Sequence, residues 1–210
     1  MGACVGSGTP PRRIIDEIIH TALDDGTRVC IRSIRDTDEA LMRQGITQLS
    51  SQSRYLRFFS PQPMPSRAVI ERLVDADGHA HLAWGAIHSS AAGDAAIGAV
   101  HAVRDDAASE TAEFSVAIVD AYHGLGLARM LIAVLLVNCR VVGIDTLDVQ
   151  ILSENRAAQG LIASLGARHC GAEYSVSEYV LDTAGALAAL RAEADSVGLS
   201  DVFAALARYI

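Results

Sequence analysis

Lysine is missing altogether: each of the 17 basic side chains in this 210-residue chain is an arginine, which removes Lys-based catalysis from consideration. Cysteine is scarce. Cys4, Cys30, Cys139 and Cys170 stand far apart with no C-x-x-C pair, so neither a metal centre built on close thiolates nor a disulfide framework is expected. Positive charge is in deficit too. The 25 acidic residues leave a net charge of -8, which counts against a nucleic-acid partner, because phosphate binding needs clustered basic charge. Long apolar runs are also lacking: the longest, Met130 to Val137, falls far short of the ~20 residues that span a bilayer. The small residues and prolines of Met1 to Pro11 do not form a secretory signal, and Gly6 stands where a myristoylation motif needs Ser or Thr. These absences predict a reduced, cytoplasmic protein with no membrane partner.

Half of the residues are hydrophobic and 20% are charged, which supports a packed core in a chain the size of one ordinary domain. Ile14, Ile15, Ile18 and Ile19 fall at helical spacing and predict a short amphipathic helix before the turn Asp24-Asp25-Gly26. Arg28 to Ile34 reads as a first strand. Asp36-x-x-Glu39 reads as a capping box opening a helix with Leu41, Met42 and Ile46. After the prolines between Pro61 and Pro65, Ser66 to Asp75 reads as a further helix. Strands follow at Ala80 to Ile87, Ala95 to Val103 and Ala112 to Val119, the first two joined as a hairpin. A nearly all-apolar helix then runs to Arg140 and should be buried against a sheet. Leu147, Val149 and Ile151 alternate with polar residues as in a half-buried strand. Asn155 to Leu165 reads as a helix closing at Gly166, and Tyr174 to Leu181 as strand. The tail, Thr183 to Ile210, reads as helix packed on the body, or as a dimer contact or active-site flap. The order is mixed α and β.

The chemistry centres on Glu113 to Arg129. A strand runs into His123-Gly124-Leu125-Gly126, and that turn opens the apolar helix. Two glycines let main-chain N–H groups converge, and the helix N-terminus adds partial positive charge, which makes an anion cradle suited to a diphosphate. A helix-entry turn of purely structural purpose fits the same spacing. Arg129 occupies the third glycine position of the dinucleotide fingerprint, and no Gly-Lys-Ser/Thr follows, so both of those nucleotide motifs fail.

These residues resemble a family. His123-Gly124-Leu125-Gly126-Leu127-Ala128 is similar to the pyrophosphate loop Q/R-x-x-G-x-G/A of the GNAT superfamily of N-acetyltransferases, with His123 where Gln or Arg is usual. Ser153-Glu154-Asn155 and the helix ending at Leu165-Gly166-Ala167 resemble its second element, with Ala167 where Phe is usual. The resemblance covers roughly Arg28 to Asp182. Within the superfamily, Ser53 to Ser60 and Ala112-Glu113-Phe114 look like bacterial protein lysine acetyltransferases, which modify acyl-CoA synthetases and related enzymes.

The resemblance implies an α/β fold whose central, mostly antiparallel sheet splays at the cofactor site. It divides the chain into a leader with a short helix (1–25), the acetyltransferase domain (26–182) and a helical extension (183–210). It implies acetyl-CoA as co-substrate, with Ile118, Val119, His123, Gly124, Leu125, Gly126, Leu127, Ala128 and Asn155 at the coenzyme and no metal. Glu113 stands where the subgroup's general base is found, and a solvated carboxylate at a strand start is the plainer reading of it. Asp120 is a second carboxylate, or a turn residue. The oxyanion would meet main-chain N–H groups near Ile118 and Val119. Ile162 takes the place of the family's proton-donating Tyr, leaving Tyr122, Tyr174 or water. The acceptor implied is a protein lysine. A small amine, or a coenzyme-binding sensor without turnover, are the alternatives, and a homodimer is left open. Arg54 and Arg57 read as contacts to coenzyme phosphates or a protein substrate, or as helix-surface groups. Trp84 reads as core, and the histidines, His101 among them, as surface or half-buried groups without ligand spacing.

Overall fold

A computed structural model describes residues 15–90 and 93–210. Eight strands form one sheet: β1 (Ile18–Ala22), β2 (Arg28–Ser33), β3 (His81–Ser90), β4 (Gly93–Val103), β5 (Thr111–Ile118), β6 (Thr146–Leu152), β7 (Arg168–Glu173) and β8 (Val176–Asp182). Their spatial order is β1-β2-β3-β4-β5-β6-β8-β7, and every neighbouring pair is antiparallel except β5 and β6. That parallel pair requires a crossover. The chain makes it with α4 (Leu127–Val142), the longest helix among the described residues.

The apolar character of α4 has the expected outcome. Every residue from Met130 to Cys139 is buried, because the helix lies on β3, β4 and β5 and is itself covered by α6 (Thr183–Ala192) and α7 (Val197–Ala205). The tail is therefore two helices packed on the body, α7 touching β1 as well as α4. On the other face lie α1 (Glu39–Gln48), α2 (Ser51–Phe58) and α3 (Arg67–Val74), while α5 (Arg156–Ser164) adds Ile162 to the α4-side core. Trp84 is buried as expected, its indole N–H donating to Asn138 Oδ1 at 3.0 Å.

Three local readings are corrected. Ile18 to Ala22 is strand, not helix: Ile19 and Thr21 are buried between exposed Ile18 and His20, and the segment pairs with β2 (Ile14 lies outside the described residues). Four isoleucines within six positions satisfy a helical or a strand template, and β-branched residues lean towards the sheet once a partner exists. Arg168–Glu173, which the sequence does not mark as an element, is an edge strand; it is almost wholly exposed, so no apolar alternation marks it. Tyr174 belongs to the tight turn before β8, with φ of 51°, rather than to the strand.

Candidate functional site

The parallel ladder between β5 and β6 is short. It runs from Thr111 opposite Thr146 to Phe114 opposite Val149 and stops. Beyond it β5 stays with β4 as far as Ile118, and β6 stays with β8 as far as Leu152, so the sheet opens into a V. The opening leads into a groove of about 530 Å³, bordered by Phe114 to Ile118, by Val149 to Ile151, and by the first turns of α4 and α5.

The glycine turn stands at the head of this groove. Gly124 and Gly126 have φ of 74° and 81°, a region that costs an ordinary L residue about 1–2 kcal/mol. A Cβ at Gly126 would also come within 3.1 Å of the Asp24 carboxylate, which would have to shift to admit it. The turn is anchored from outside by the Asp24 N–H, which donates to the Leu125 carbonyl at 3.3 Å. Among the described residues, no protein acceptor meets the main-chain amides from Gly124 to Arg129, and Gly126 offers α4 no side-chain cap. These N–H groups, at the positive end of the helix dipole and beside an open groove, can receive an anion.

The other sequence candidates divide. Ile118, His123, Gly124, Gly126, Leu127, Ala128 and Asn155 border the groove; Leu125 and Val119 do not. The Val119 N–H is unavailable as an oxyanion donor, because it donates to the Ile97 carbonyl at 2.9 Å. Strand alternation turns Ile118 the opposite way, and its carbonyl accepts from His123 Nε2 at 2.8 Å on the groove side. The Ile118 N–H shares that side. Asn155 caps α5, its Oδ1 accepting from the Ala158 N–H at 3.1 Å. Burial alone would raise the pKa of Asp120, but the Ser50 amide and the Ser50 and Ser53 hydroxyls hold it at about 2. Asp120 is thus a clamp between the glycine loop and the start of α2, too acidic to accept a proton near neutrality.

Glu113 lies outside the groove lining and is exposed, opposite Asp148 across the last paired stretch of β5 and β6. Its face of the sheet holds Ser115, whose hydroxyl accepts from Arg57 Nη2 at 2.7 Å. Loss of water around the Arg57 guanidinium pushes its pKa down to about 10, against the pull of the Glu113 charge. Arg57 is therefore a sheet-facing group that borders the groove, not a helix-surface one. On the same face His101 is buried, its Nδ1 3.0 Å from Nε2 of His81, whose Nδ1 meets the Asp75 carbonyl at 3.0 Å. Burial holds the pKa of His101 well below the ordinary value and lowers that of His81, so both rings are neutral. This pair escaped the sequence reading, since 20 residues and a strand hairpin separate its members. Tyr122 borders the groove and shares its hydroxyl with His88 Nδ1 at 2.9 Å, whereas Tyr174 is 98% exposed and away from the lining. Ile162 lines the groove.

Comparison with known proteins points to one family. The family model for the acetyltransferase (GNAT) domain matches residues 28–168. An acetyltransferase of Pseudomonas aeruginosa is 33% identical over 147 residues, which is 69% of this chain and 77% of that protein. Acetyltransferase Pat of Mycolicibacterium smegmatis is 28% identical over 137 residues, 65% of this chain, and the match spans only 40% of that longer relative. The crystal structure of the GNAT domain of S. lividans PAT superposes with a TM-score of 0.71 at 23% identity, covering 79% of this chain and 96% of that domain. Among the described residues, no helix is long and apolar enough to cross a membrane, and no group of three or more His, Cys, Asp or Glu side chains could hold a metal ion.

Proposed function

The chain belongs to the GNAT acetyltransferase family, and from that premise we propose that it moves the acetyl group of acetyl-CoA to the side-chain amine of a protein lysine in the cytoplasm. The observation that carries the reading is the row of unbonded amides from Gly124 to Arg129 at the head of the groove where β5 and β6 part. They receive the coenzyme diphosphate, and the pantetheine arm follows the groove between the strands, with Asn155 on its other wall.

An ammonium cannot attack a thioester; the amine must first lose a proton. Glu113 accepts it, directly or through one water. The nitrogen then bonds to the acetyl carbonyl carbon, and the Ile118 N–H steadies the oxyanion. Collapse breaks the C–S bond and releases the coenzyme as a thiolate. Tyr122 is the tyrosine we assign to returning its proton, since Tyr174 is remote from the groove. The open setting of Glu113 favours a lysine presented on a protein surface over a small amine, which gains little affinity without an enclosing pocket.

Thiol release from acetyl-CoA with lysine peptides, acyl-CoA synthetase-type proteins and polyamines tests this. A chain without lysine adds no side-chain self-acetylation to the signal. Release with protein or peptide lysines supports the reading. Release with small amines alone rejects the protein acceptor, and binding without release makes the chain a coenzyme sensor. Glu113→Gln should lower turnover by about 10²–10⁴-fold at neutral pH, with coenzyme affinity nearly unchanged. Equal turnover in that variant removes Glu113 from the mechanism.

A further inference from the structure

A second hollow lies on the α1–α2 face of the sheet. It holds about 70 Å³ of space, several times the ~10–15 Å³ that one water requires. Its floor is a cross-strand row of small residues: Gly85 on β3 faces Ala99 on β4, which faces Ala117 on β5. Its roof is Leu41, Met42 and Ile46 of α1 with Phe58 of α2. The polar side chains at its margin are engaged elsewhere. Arg32 is paired with Asp38 at 2.6 Å, His101 with His81 and Arg57 with Ser115. Water inside would find apolar walls and few partners, so the space suits hydrocarbon.

The position of this hollow matters as much as its lining. Leu49, Arg57 and Ala117 border both it and the coenzyme groove, and Ala117 sits on the length of β5 that has parted from β6. In the reading above, that is where the acyl carbon arrives. A two-carbon acyl group needs no further room.

We propose that this hollow is an acyl pocket, and that the chain takes straight apolar acyl-CoA thioesters of propionyl to butyryl length as well as acetyl-CoA. The inference rests on the groove being the coenzyme site. The transfer chemistry is unchanged: one N–C bond forms, one C–S bond breaks, and the amine proton leaves by the same base. Ala99 sets the length of the pocket. It lies in the floor beyond Ala117 and does not border the coenzyme groove.

The test compares acetyl-, butyryl- and succinyl-CoA with one lysine peptide, and measures the affinity of each thioester by calorimetry. Wild-type kcat/KM for butyryl-CoA should lie within about tenfold of that for acetyl-CoA. Ala99→Leu should reduce the butyryl-to-acetyl ratio by at least about 30-fold and leave acetyl transfer within about threefold. Met42→Ala, which deepens the roof, should shift the ratio the other way. Discrimination against butyryl by the wild type of more than about 100-fold overturns the proposal. So does an equal loss of both activities in Ala99→Leu with its melting curve unchanged, or a preference for succinyl-CoA. Where no thioester is turned over, the reading of the chain as an enzyme fails separately. The pocket then stands or falls on whether Ala99→Leu weakens binding of butyryl-CoA and spares that of CoA.

Discussion

The first turns of α4 and α5 border the same groove and meet the same difficulty, the unpaired N–H groups that every helix start leaves, in opposite ways. At α5 the chain supplies its own acceptor, Asn155. Side chains do the same for α2, α3, α6 and α7 through Ser50, Ser66, Asp182 and Ser196. At α4 a glycine stands at the cap, and the amides are left open. A missing cap costs about 1 kcal/mol, which would be felt by a marginal surface helix. Apart from α1, which also has no side-chain cap but continues directly from a 3-10 turn over Asp36–Asp38, the helix that forgoes it is the one buried from Met130 to Cys139, whose packing makes the loss tolerable. Open main-chain polarity is found where apolar burial can sustain it, and there it becomes available to a ligand.

The contrast can be broken most forcefully by closing the open start. Ala128→Asp adds a carboxylate beside the α4 amides, where the dipole favours it and the helix gains about 0.3–1 kcal/mol. The same charge repels phosphates, so coenzyme affinity by calorimetry should fall about 100-fold while the melting temperature holds or rises. Unchanged affinity would mean that these amides never meet the diphosphate. The reverse experiment opens the closed start. Asn155→Ala should cost about 1 kcal/mol of stability, roughly 2–4 °C in melting temperature for a chain of this size, and weaken coenzyme binding less than about tenfold. An equally stable variant would show the cap to be idle.

The smallest effect concerns α2, whose capping Ser50 is itself held by Asp120 from the loop before α4. The folded pKa of Asp120, about 2, lies below its ordinary 3.8, so its contribution is complete above 3.8 and is lost as pH falls through about 2. Asp120→Asn should therefore lower stability by less than about 1 kcal/mol near neutrality, the clamp being largely solvent-screened. Melting curves of the two proteins should converge as pH drops from 4 towards about 2. A gap independent of pH would assign the clamp to shape rather than charge.

Much of this was legible in the sequence where a local pattern had one solution. Leu147, Val149 and Ile151 alternate with Asp148 and Gln150, and the structure buries the first set and exposes the second. The apolar residues after Gly126 admitted only a buried helix, and the glycines marked the turn that leaves its amides open. Legibility ended where partners are distant or neighbours are bland. The isoleucines of β1 took strand form because β2 offered a free edge, and β7 shows no pattern because its faces are exposed. Val119 lost its expected role to the carbonyl of Ile97, 22 residues earlier, on an adjacent strand. The His81–His101 contact, the seat of Arg57 on Ser115 and the Gly85-Ala99-Ala117 floor all depend on strand register, which no single segment states.

The sequence by itself determined a mixed α/β chain with one heavily apolar helix entered through a glycine turn, because periodicity and backbone freedom act within a few residues of each other. The opening between β5 and β6, the direction in which each strand N–H points, and the hollow beneath α1 and α2 were decided only in the folded molecule. Each is a relation between segments that become neighbours through pairing and packing, and its energy does not exist until they meet.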